Sequence, residues 1–424
     1  MDDDLIDSDR LSLSRKSQLP GAGFFYPDSL DEEYADRRTR EAVEGATTVV
    51  IADSDADGLG CVALVREAYD AALEAASFEE SIAERLVAGE EAAAEADDGA
   101  LSVEGGVVTG DEGDEGDEER SPVALVAAGP HSLEDALKRV AEYVEEGADV
   151  FVCDIAPDAF EDVESPLEAL LERAASIRWF DHHQWDPAVA SAVREAGVDL
   201  VVGDSDEECT TDVALRSLDY EFPERFRDLA AVTRDHDLWL REDPRSDDLA
   251  DYAYWAPAEE YVTIVGRYGP DLPGAAAEYV AHRRVEKERL IERAVDRAEF
   301  TQVGPWTVGV TYGRCSQNEV AESLREAGAD AAVIVKPAGS ASIRGSEDFE
   351  RCHEVAAQVN GGGHPKAAGC KPDIYGDMLD YAHHWTTQGS AARNVILAAF
   401  ERVAERAAAE DEDDEDDEGV ETER

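Results

Sequence analysis

Residues 47–57 read TTVVIADSDAD, a β-branched apolar run that stops abruptly in three aspartates at alternate positions. Such a run, bounded by acids, predicts a buried strand followed by a loop carrying Asp53, Asp55 and Asp57, with a helix from Leu59 to about Ala76. The pattern recurs: PVALVAAG (122–129), DVFVCD (149–154), SIRWFD (176–181) and a shorter DLVVGD (199–204) are apolar runs, and three of them close on Asp154, Asp181 and Asp204. Helical stretches separate them. One is SLEDALKRVAEYVEEG (132–147), where Ser132 and Asp135 resemble a capping box and Gly147 is a stop. Continuous apolar strands alternating with helices predict an α/β fold with a parallel sheet covered on both faces.

Working outward, residues 206–300 turn helical, and a charged helix over 276–299 with the pairs Leu290/Ala294 and Ile291/Val295 reads as a connector between domains. A second, smaller α/β unit follows over 301–395: PWTVGVTYG, DAAVIVKP and GSASIRGS as strands, QNEVAESLREAG as a helix, then NGGGHPKAAG (360–369). The segment 77–120 is too polar and glycine-rich to pack, and 92–120 reads as a disordered acidic insertion. The expected partition is an N-terminal arm (1–46), a catalytic domain (47–240), a helical connector (241–300), a second domain (301–395), and a C-terminal helix with an acidic tail (396–424), the last helix covering 389–409 and the tail being solvated.

The 424 residues are 43% hydrophobic, enough for real cores, and they carry 100 Asp+Glu against 38 Lys+Arg, a formal charge of −62. Residues 91–120 hold twelve acids and one base, and 410–424 eleven and one; the rest of the chain still carries −41, with only six lysines in all. The acidity therefore coats the folded body as well as the flanks. That suits a cytosol at molar salt, where the Debye length is about 3 Å and self-repulsion is screened. An extreme halophile is the expected source, and a local arginine or metal cluster can still bind phosphate inside such a shell. No signal-like start and no long apolar run occur, so a cytoplasmic protein without membrane contact is expected. Cys61, Cys153, Cys209, Cys315, Cys352 and Cys370 form no C-x-x-C pair and read as reduced, buried residues.

In a parallel sheet the strand ends bearing Asp53, Asp55, Asp57, Asp154 and Asp181-His182-His183 lie side by side along one rim, where open α/β sheets bind ligands. Packed carboxylates raise one another's pKa unless cations sit between them, and oxygen donors with one or two imidazoles suit a pair of hard divalent ions. A calcium loop of the D-x-D-x-D-G type is the rival for residues 53–58. It fails at its twelfth position, which is Leu64, and in the strand that precedes it. Taken singly, Asp154 reads as a turn cap and His182-His183 as loop histidines; their common place at strand ends favours a site.

These segments carry a resemblance. DSDADG (53–58), VCDIAPD (152–158), FDHHQWD (180–186) and the acid of LAAVTRDHD (229–237) resemble the four motifs of the DHH phosphoesterase superfamily, and NGGGHPKAAG preceded by GRCSQ (313–317) and SIR (342–344) resembles its companion DHHA1 domain. The likeness spans about 47–395, and Asp rather than His at position 53 resembles the RecJ-like nuclease branch. It implies an N-terminal DHH domain with a parallel sheet, joined by a helical connector to a smaller α/β DHHA1 domain. It also implies that Asp57, Asp154, His182 and Asp235 hold one metal, that Asp55 and Asp53 hold the other, and that Asp154 bridges them. His183 would touch the phosphate or support the site, and Asp237 is the fallback for Asp235. The implied cofactors are two divalent ions, manganese ahead of magnesium. The implied activity is a single-strand exonuclease on DNA or RNA, with short oligonucleotides as substrates and replication or repair proteins as partners.

Three consecutive glycines let backbone N–H groups approach an anion. Gly361, Gly362 and Gly363, with Asn360, His364, Lys366, Arg314 and Arg344, therefore form the expected substrate phosphate clamp. Weaker features are His383-His384-Trp385, read as surface; Asp212, read as starting a helix; Trp179 and Trp185, read as core packing; and Phe24-Phe25-Tyr26, read as docking the arm. Two other functions compete: a phosphodiesterase for nano-oligonucleotides or cyclic dinucleotides, and a non-catalytic scaffold in a replication or repair assembly.

Overall fold

The computed structural model describes residues 28–96, 121–157, 159–313, 316–376 and 378–421. They divide into two compact units, one ending at Arg283 and the other beginning at Arg284. The first unit comprises α1 (Asp28–Val43), β1 (Thr48–Ala52), α2 (Ala56–Ala68), α3 (Ala75–Ala96), β2 (Val123–Ala127), α4 (Leu133–Tyr143), β3 (Asp149–Cys153), α5 (Phe160–Leu171), β4 (Ser176–Asp181), α6 (Pro187–Ala196), β5 (Asp199–Val202), α7 (Thr210–Ser217), α8 (Glu224–Asp237), α9 (Pro244–Trp255), α10 (Ala258–Tyr268) and the first part of α11 (Gly274–Asp296).

Its five strands are all parallel in the order β2-β1-β3-β4-β5. Every residue of β1 is buried, and the period-2 alternation of a strand sends its side chains to two separate cores. Val49 and Ile51 join Leu137, Leu167 and Val193 on one face, whereas Val50 and Ala52 join Leu59, Val62, Phe226 and Tyr261 on the other. Fully burying each such side chain contributes on the order of 2 kcal/mol, so the middle of the sheet is a firm base for whatever its rim carries. The strand order reverses direction between β1 and β3, and the C-terminal ends of those strands flank the crevice where this topology binds ligands.

Several expectations need correcting. The helix after β1 stops at Ala68, beyond which Asp70 adopts a left-handed φ of 51°, and α3 starts afresh at Ala75. The start of the segment read as too polar to pack is helical, and Ile82 is fully buried there; residues 97–120, most of the acidic insertion, lie outside the described residues. Ser132 does not cap α4: its hydroxyl accepts the N–H of Gly129 at 2.9 Å, closing a short 3-10 turn over Pro130–Ser132. The helices assigned to a connector belong to the first unit as far as Arg283, because Leu249, Tyr252, Tyr261, Val262 and Tyr279 pack in one core with Leu59 and Leu64.

The second unit contains the rest of α11 with β6 (Glu299–Val303), β7 (Trp306–Tyr312), α12 (Gln317–Glu326), β8 (Ala331–Val335), β9 (Ala341–Gly345), α13 (Cys352–Ala357), β10 (Gly361–Gly363), β11 (Ala367–Cys370), α14 (Met378–Thr386) and α15 (Ser390–Glu421). Its sheet runs β10-β11-β9-β8-β7-β6, parallel only between β7 and β8. One face packs Val308, Val310 and Val333 on Ile396 and Phe400; the other packs Ile334 on Val320 and Leu324. The last helix runs on to Glu421, past the expected end near 409. His384 is not a surface residue. It is buried, with Nε2 2.8 Å from the Lys336 carbonyl and Nδ1 2.9 Å from the Tyr375 hydroxyl. Five cysteines are free and buried, and Cys315, Arg314 and Phe24-Phe25-Tyr26 lie outside the described residues. No described helix is long and apolar enough to cross a membrane.

Candidate functional site

The turn after β1 is shaped by its own carboxylates and glycines. Asp55 caps α2, its Oδ1 accepting the N–H groups of Asp57 and Gly58, both at 3.0 Å. A Cβ on Gly58 would lie 2.4 Å from the Asp53 carbonyl oxygen, and one on Gly60 would lie 2.6 Å from Thr211 Oγ1. Glycine at both positions therefore lets α2 close on the turn and on α7.

Asp57, thus drawn inward, is buried, and the first turn of α7 receives its carboxylate. Thr210 N–H donates to Oδ2 and Thr211 N–H to Oδ1, both at 2.7 Å. The same helix start touches the next strand, since Thr210 Oγ1 donates to Asp154 Oδ1 at 2.8 Å. Asp154 is itself buried and sits at a left-handed φ of 64°, a conformation that costs most non-glycine residues on the order of 1 kcal/mol and that persists where the surroundings impose it. Its N–H is held by the Phe180 carbonyl at 3.0 Å, and Trp179 Nε1 donates to the next carbonyl, Ile155, at 2.9 Å.

Asp181, fully buried at the end of β4, organises the two histidines. It accepts the His182 N–H at 2.9 Å, His183 Nδ1–H at 2.7 Å and Trp185 Nε1–H at 2.7 Å. Trp179 and Trp185 therefore act in packing, as expected, and each also holds a loop of the rim. His182 Nε2 then lies 3.8 Å from Asp154 Oδ1 and 3.3 Å from Asp237 Oδ2. Two overlapping groups of donor atoms, each within 4.8 Å, result: Asp57, His182 and Asp237, and Asp154, His182 and His183.

Crowding these acids has a clear electrostatic signature. Burial, with Asp57 and Asp55 nearby, raises Asp154 well above the usual carboxylate range. Burial and the same two neighbours push Asp237 up to about 8. Burial and Asp55 bring Asp53 to about 6, and Asp55, open to solvent on one side, is raised by the protein around it and by Asp57. His183 moves the same way for the opposite reason: burial works against its charge, but the Asp181 hydrogen bond and the surrounding carboxylates prevail and raise it to about 9. Asp237 Oδ2 and His182 Nδ1 are buried without a hydrogen-bond partner, a state that native proteins seldom leave unexplained. An oxygen-rich donor set with imidazole, holding orphaned atoms and carboxylates that resist ionisation, fits hard divalent cations.

The structure does not bring Asp235 to this group. Its Oδ1 accepts the Glu242 N–H at 2.9 Å and its Oδ2 the Asp243 N–H at 3.1 Å. Burial alone would raise Asp235, but the Ser246 hydroxyl and those two N–H groups outweigh it and hold the carboxyl low. Residues two apart on a helix point about 200° from each other, so Asp237 faces the rim and Asp235 the loop after α8. Two contributors went unread in the sequence: Thr210 and Thr211. The signal was present, because β5 is a parallel strand whose C-terminal end also opens onto the rim, and the segment after it leads straight to Thr210. Asp212 does start α7, accepting the Cys209 N–H at 3.2 Å, and it also pairs with Arg234.

Beside the acids is a cavity of about 330 Å³ lined by Asp53, Asp55, Asp57, Thr233, His236, Asp237, Ala250 and Tyr254. All of it lies in the first unit.

In the second unit, the glycine run is a strand. Gly361–Gly363 form β10 at the sheet edge, antiparallel to β11, and the turn is His364–Lys366, with the His364 N–H on the Ala367 carbonyl at 2.7 Å. A Cβ on Gly361 would lie 2.1 Å from the Gly369 carbonyl oxygen, and Gly363 has a φ of 133°, so both glycines serve close strand pairing. Asn360 precedes them at a left-handed φ of 49°. Arg344, opposite Ala367 in the ladder, has Nε on Asn318 Oδ1 at 3.0 Å, and burial lowers its pKa. Lys366 Nζ lies 3.3 Å from Glu350. The sheet therefore gathers Arg344, Asn360, Gly361–Gly363, His364 and Lys366, but several of their polar groups already have partners; Arg314 lies outside the described residues.

No family model matches the sequence, and no curated protein is significantly similar to it. Solved structures are similar in fold. RecJ from Thermus thermophilus in complex with Mn²⁺ shares 15% identity over 88% of this chain at a TM-score of 0.50, and this chain spans 55% of that one. The likeness is one of fold. An exonuclease RecJ bound to manganese aligns over 88% of this chain and 94% of its own at 15% identity and a TM-score of 0.48. A pGpG-specific phosphodiesterase from Vibrio cholerae aligns over 82% and 99% at 10% identity and a TM-score of 0.36.

Proposed function

We propose that this chain is a metal-dependent phosphodiester hydrolase acting on single-stranded nucleic acid from an end. The observation that supports it most is the meeting, on the rim of one parallel sheet, of Asp57, Asp154, His182 and Asp237, with His182 Nδ1 lacking a hydrogen-bond partner and Asp237 Oδ2 facing His182 Nε2 at 3.3 Å. In this reading Asp53, Asp55, Asp57, Asp154, His182 and Asp237 would hold a pair of divalent cations, with Asp57, His182 and Asp237 forming one group of converging donors. Manganese or magnesium suits such donors. When bound, a pair of such ions supplies an activated water and neutralises charge on the phosphoryl oxygens during in-line attack.

The chain's own residues do the positioning. The α7 N-terminus fixes both oxygens of Asp57, and Thr210 fixes one oxygen of Asp154, so neither carboxylate reorganises during the reaction. His183 keeps Nδ1–H on Asp181, and in its protonated form its Nε2–H would donate to a phosphoryl oxygen. In the second unit, the β10–β11 hairpin, with Lys366, His364 and Arg344, is by itself a proposed phosphate-binding element.

A second reading, a phosphodiesterase for short oligonucleotides, is favoured by the cavity volume of about 330 Å³, at the low end of small-molecule sites. Rates on a 30-mer and on a dinucleotide, with Mn²⁺ in molar KCl, separate the two. Faster cleavage of the 30-mer is expected; activity on the dinucleotide alone contradicts the exonuclease.

A further inference from the structure

The cavity beside the acids has one wall that the metal chemistry does not use. Tyr254, on α9, is 59% exposed, more than Tyr69, Tyr220 or Phe300, and it borders the same space as Asp53, Asp55, Asp57 and Asp237. Its ring is set by Trp255, edge to face at 4.9 Å. Deeper in the cavity, Thr233 is 1% exposed and its Oγ1 has no hydrogen-bond partner. A helical threonine ordinarily returns its hydroxyl to the carbonyl one turn back, so this one is free to serve something in the cavity. His236 shares the wall, with Nδ1 3.3 Å from Asp247 Oδ1.

An open aromatic face matches a planar ring, and the buried unpartnered hydroxyl can meet that ring's polar edge; a chain of phosphates could accept from the hydroxyl but has no use for the aromatic face. We propose that this cavity is a nucleobase subsite: the base of the nucleotide flanking the attacked phosphate stacks on Tyr254, and Thr233 Oγ1 hydrogen-bonds its edge. The inference rests on the hydrolase reading and names the residues that would hold the base of its nucleotide substrate. Stacking of this kind is tolerant of sequence, so little preference among bases follows.

The test compares an adenine-bearing 5-mer with a 5-mer of abasic residues, using the full chain with Mn²⁺ in molar KCl. Tyr254→Ala is expected to raise KM about tenfold on the adenine oligomer and to leave the abasic one unchanged; Tyr254→Phe should stay within about twofold of wild type. Thr233→Val should raise KM about threefold on the adenine oligomer alone. Equal effects of Tyr254→Ala on both oligomers, or none on either, overturn the subsite. Kd values for both oligomers on an Asp154→Asn background keep the two claims apart. A base-dependent Kd without turnover by the wild-type chain leaves the subsite and removes the hydrolase, whereas turnover with a base-independent Kd does the reverse.

Discussion

The acid rim of the first sheet and the glycine hairpin of the second are equally conspicuous in the sequence, yet the structure treats them differently. At the rim, four carboxylates are raised above their ordinary range, Asp154 holds a left-handed φ, and two buried polar atoms make no hydrogen bond. In the hairpin, Arg344 is bonded to Asn318, Lys366 is near Glu350, and Gly361 is explained by the Gly369 carbonyl against it. The rim carries a cost that the fold alone does not repay; the hairpin largely accounts for itself. A functional assignment is therefore stronger where the geometry is left unsatisfied.

The contrast breaks first at Asp154. Asparagine tolerates the left-handed φ and keeps the shape, so Asp154→Asn should fold, lose at least about 10³-fold in kcat, and melt a few degrees higher than wild type when metal-free, because the unfolded chain no longer gains by ionising a carboxyl that the fold keeps protonated. Retained turnover in a steady-state assay contradicts its role. In the hairpin the largest effect should be structural. Gly361→Ala forces a Cβ to 2.1 Å from a backbone oxygen and should destabilise by roughly 3 kcal/mol, whereas Gly362→Ala, with nothing within 4 Å, should cost no more than a few tenths in chemical denaturation. A third comparison lies within α8: Asp237→Asn should weaken Mn²⁺ binding by about 10–100-fold, while Asp235→Asn should lower stability by about 1–2 kcal/mol and leave metal affinity unchanged in calorimetry.

A smaller effect follows from pH. The folded-state values of Asp53, about 6, and Asp237, about 8, lie above the ordinary 3.8. Between those limits the unfolded chain is ionised while the folded one keeps its proton, so ionisation favours unfolding and metal-free stability should fall from about pH 4 to pH 8. Cations compensate the same charges. The rise in Tm on adding Mn²⁺ should accordingly be larger at pH 8 than at pH 5.5; an equal or smaller rise contradicts the assignment of Asp237.

Much of this was legible in the sequence. Apolar runs ending in acids gave the parallel sheet, and strand-end logic placed Asp53, Asp55, Asp57, Asp154 and His182 on one rim. The choice between Asp235 and Asp237 was not legible from spacing, because it depends on where α8 turns its faces and on the two N–H groups after the helix that claim Asp235. Thr210 and Thr211 contribute mainly through the backbone at a helix start, which leaves no mark in residue type. That the glycine run forms a strand was not legible, because the close approach of Gly369 that requires Gly361 comes from a partner several residues away.

The central claim is that carboxylates remote in sequence hold divalent ions together at one sheet rim. An anomalous difference map from crystals soaked in Mn²⁺ tests it most directly. The account predicts peaks among Asp57, Asp154, His182 and Asp237; a map with density at Asp235 instead, or none along that rim, contradicts it.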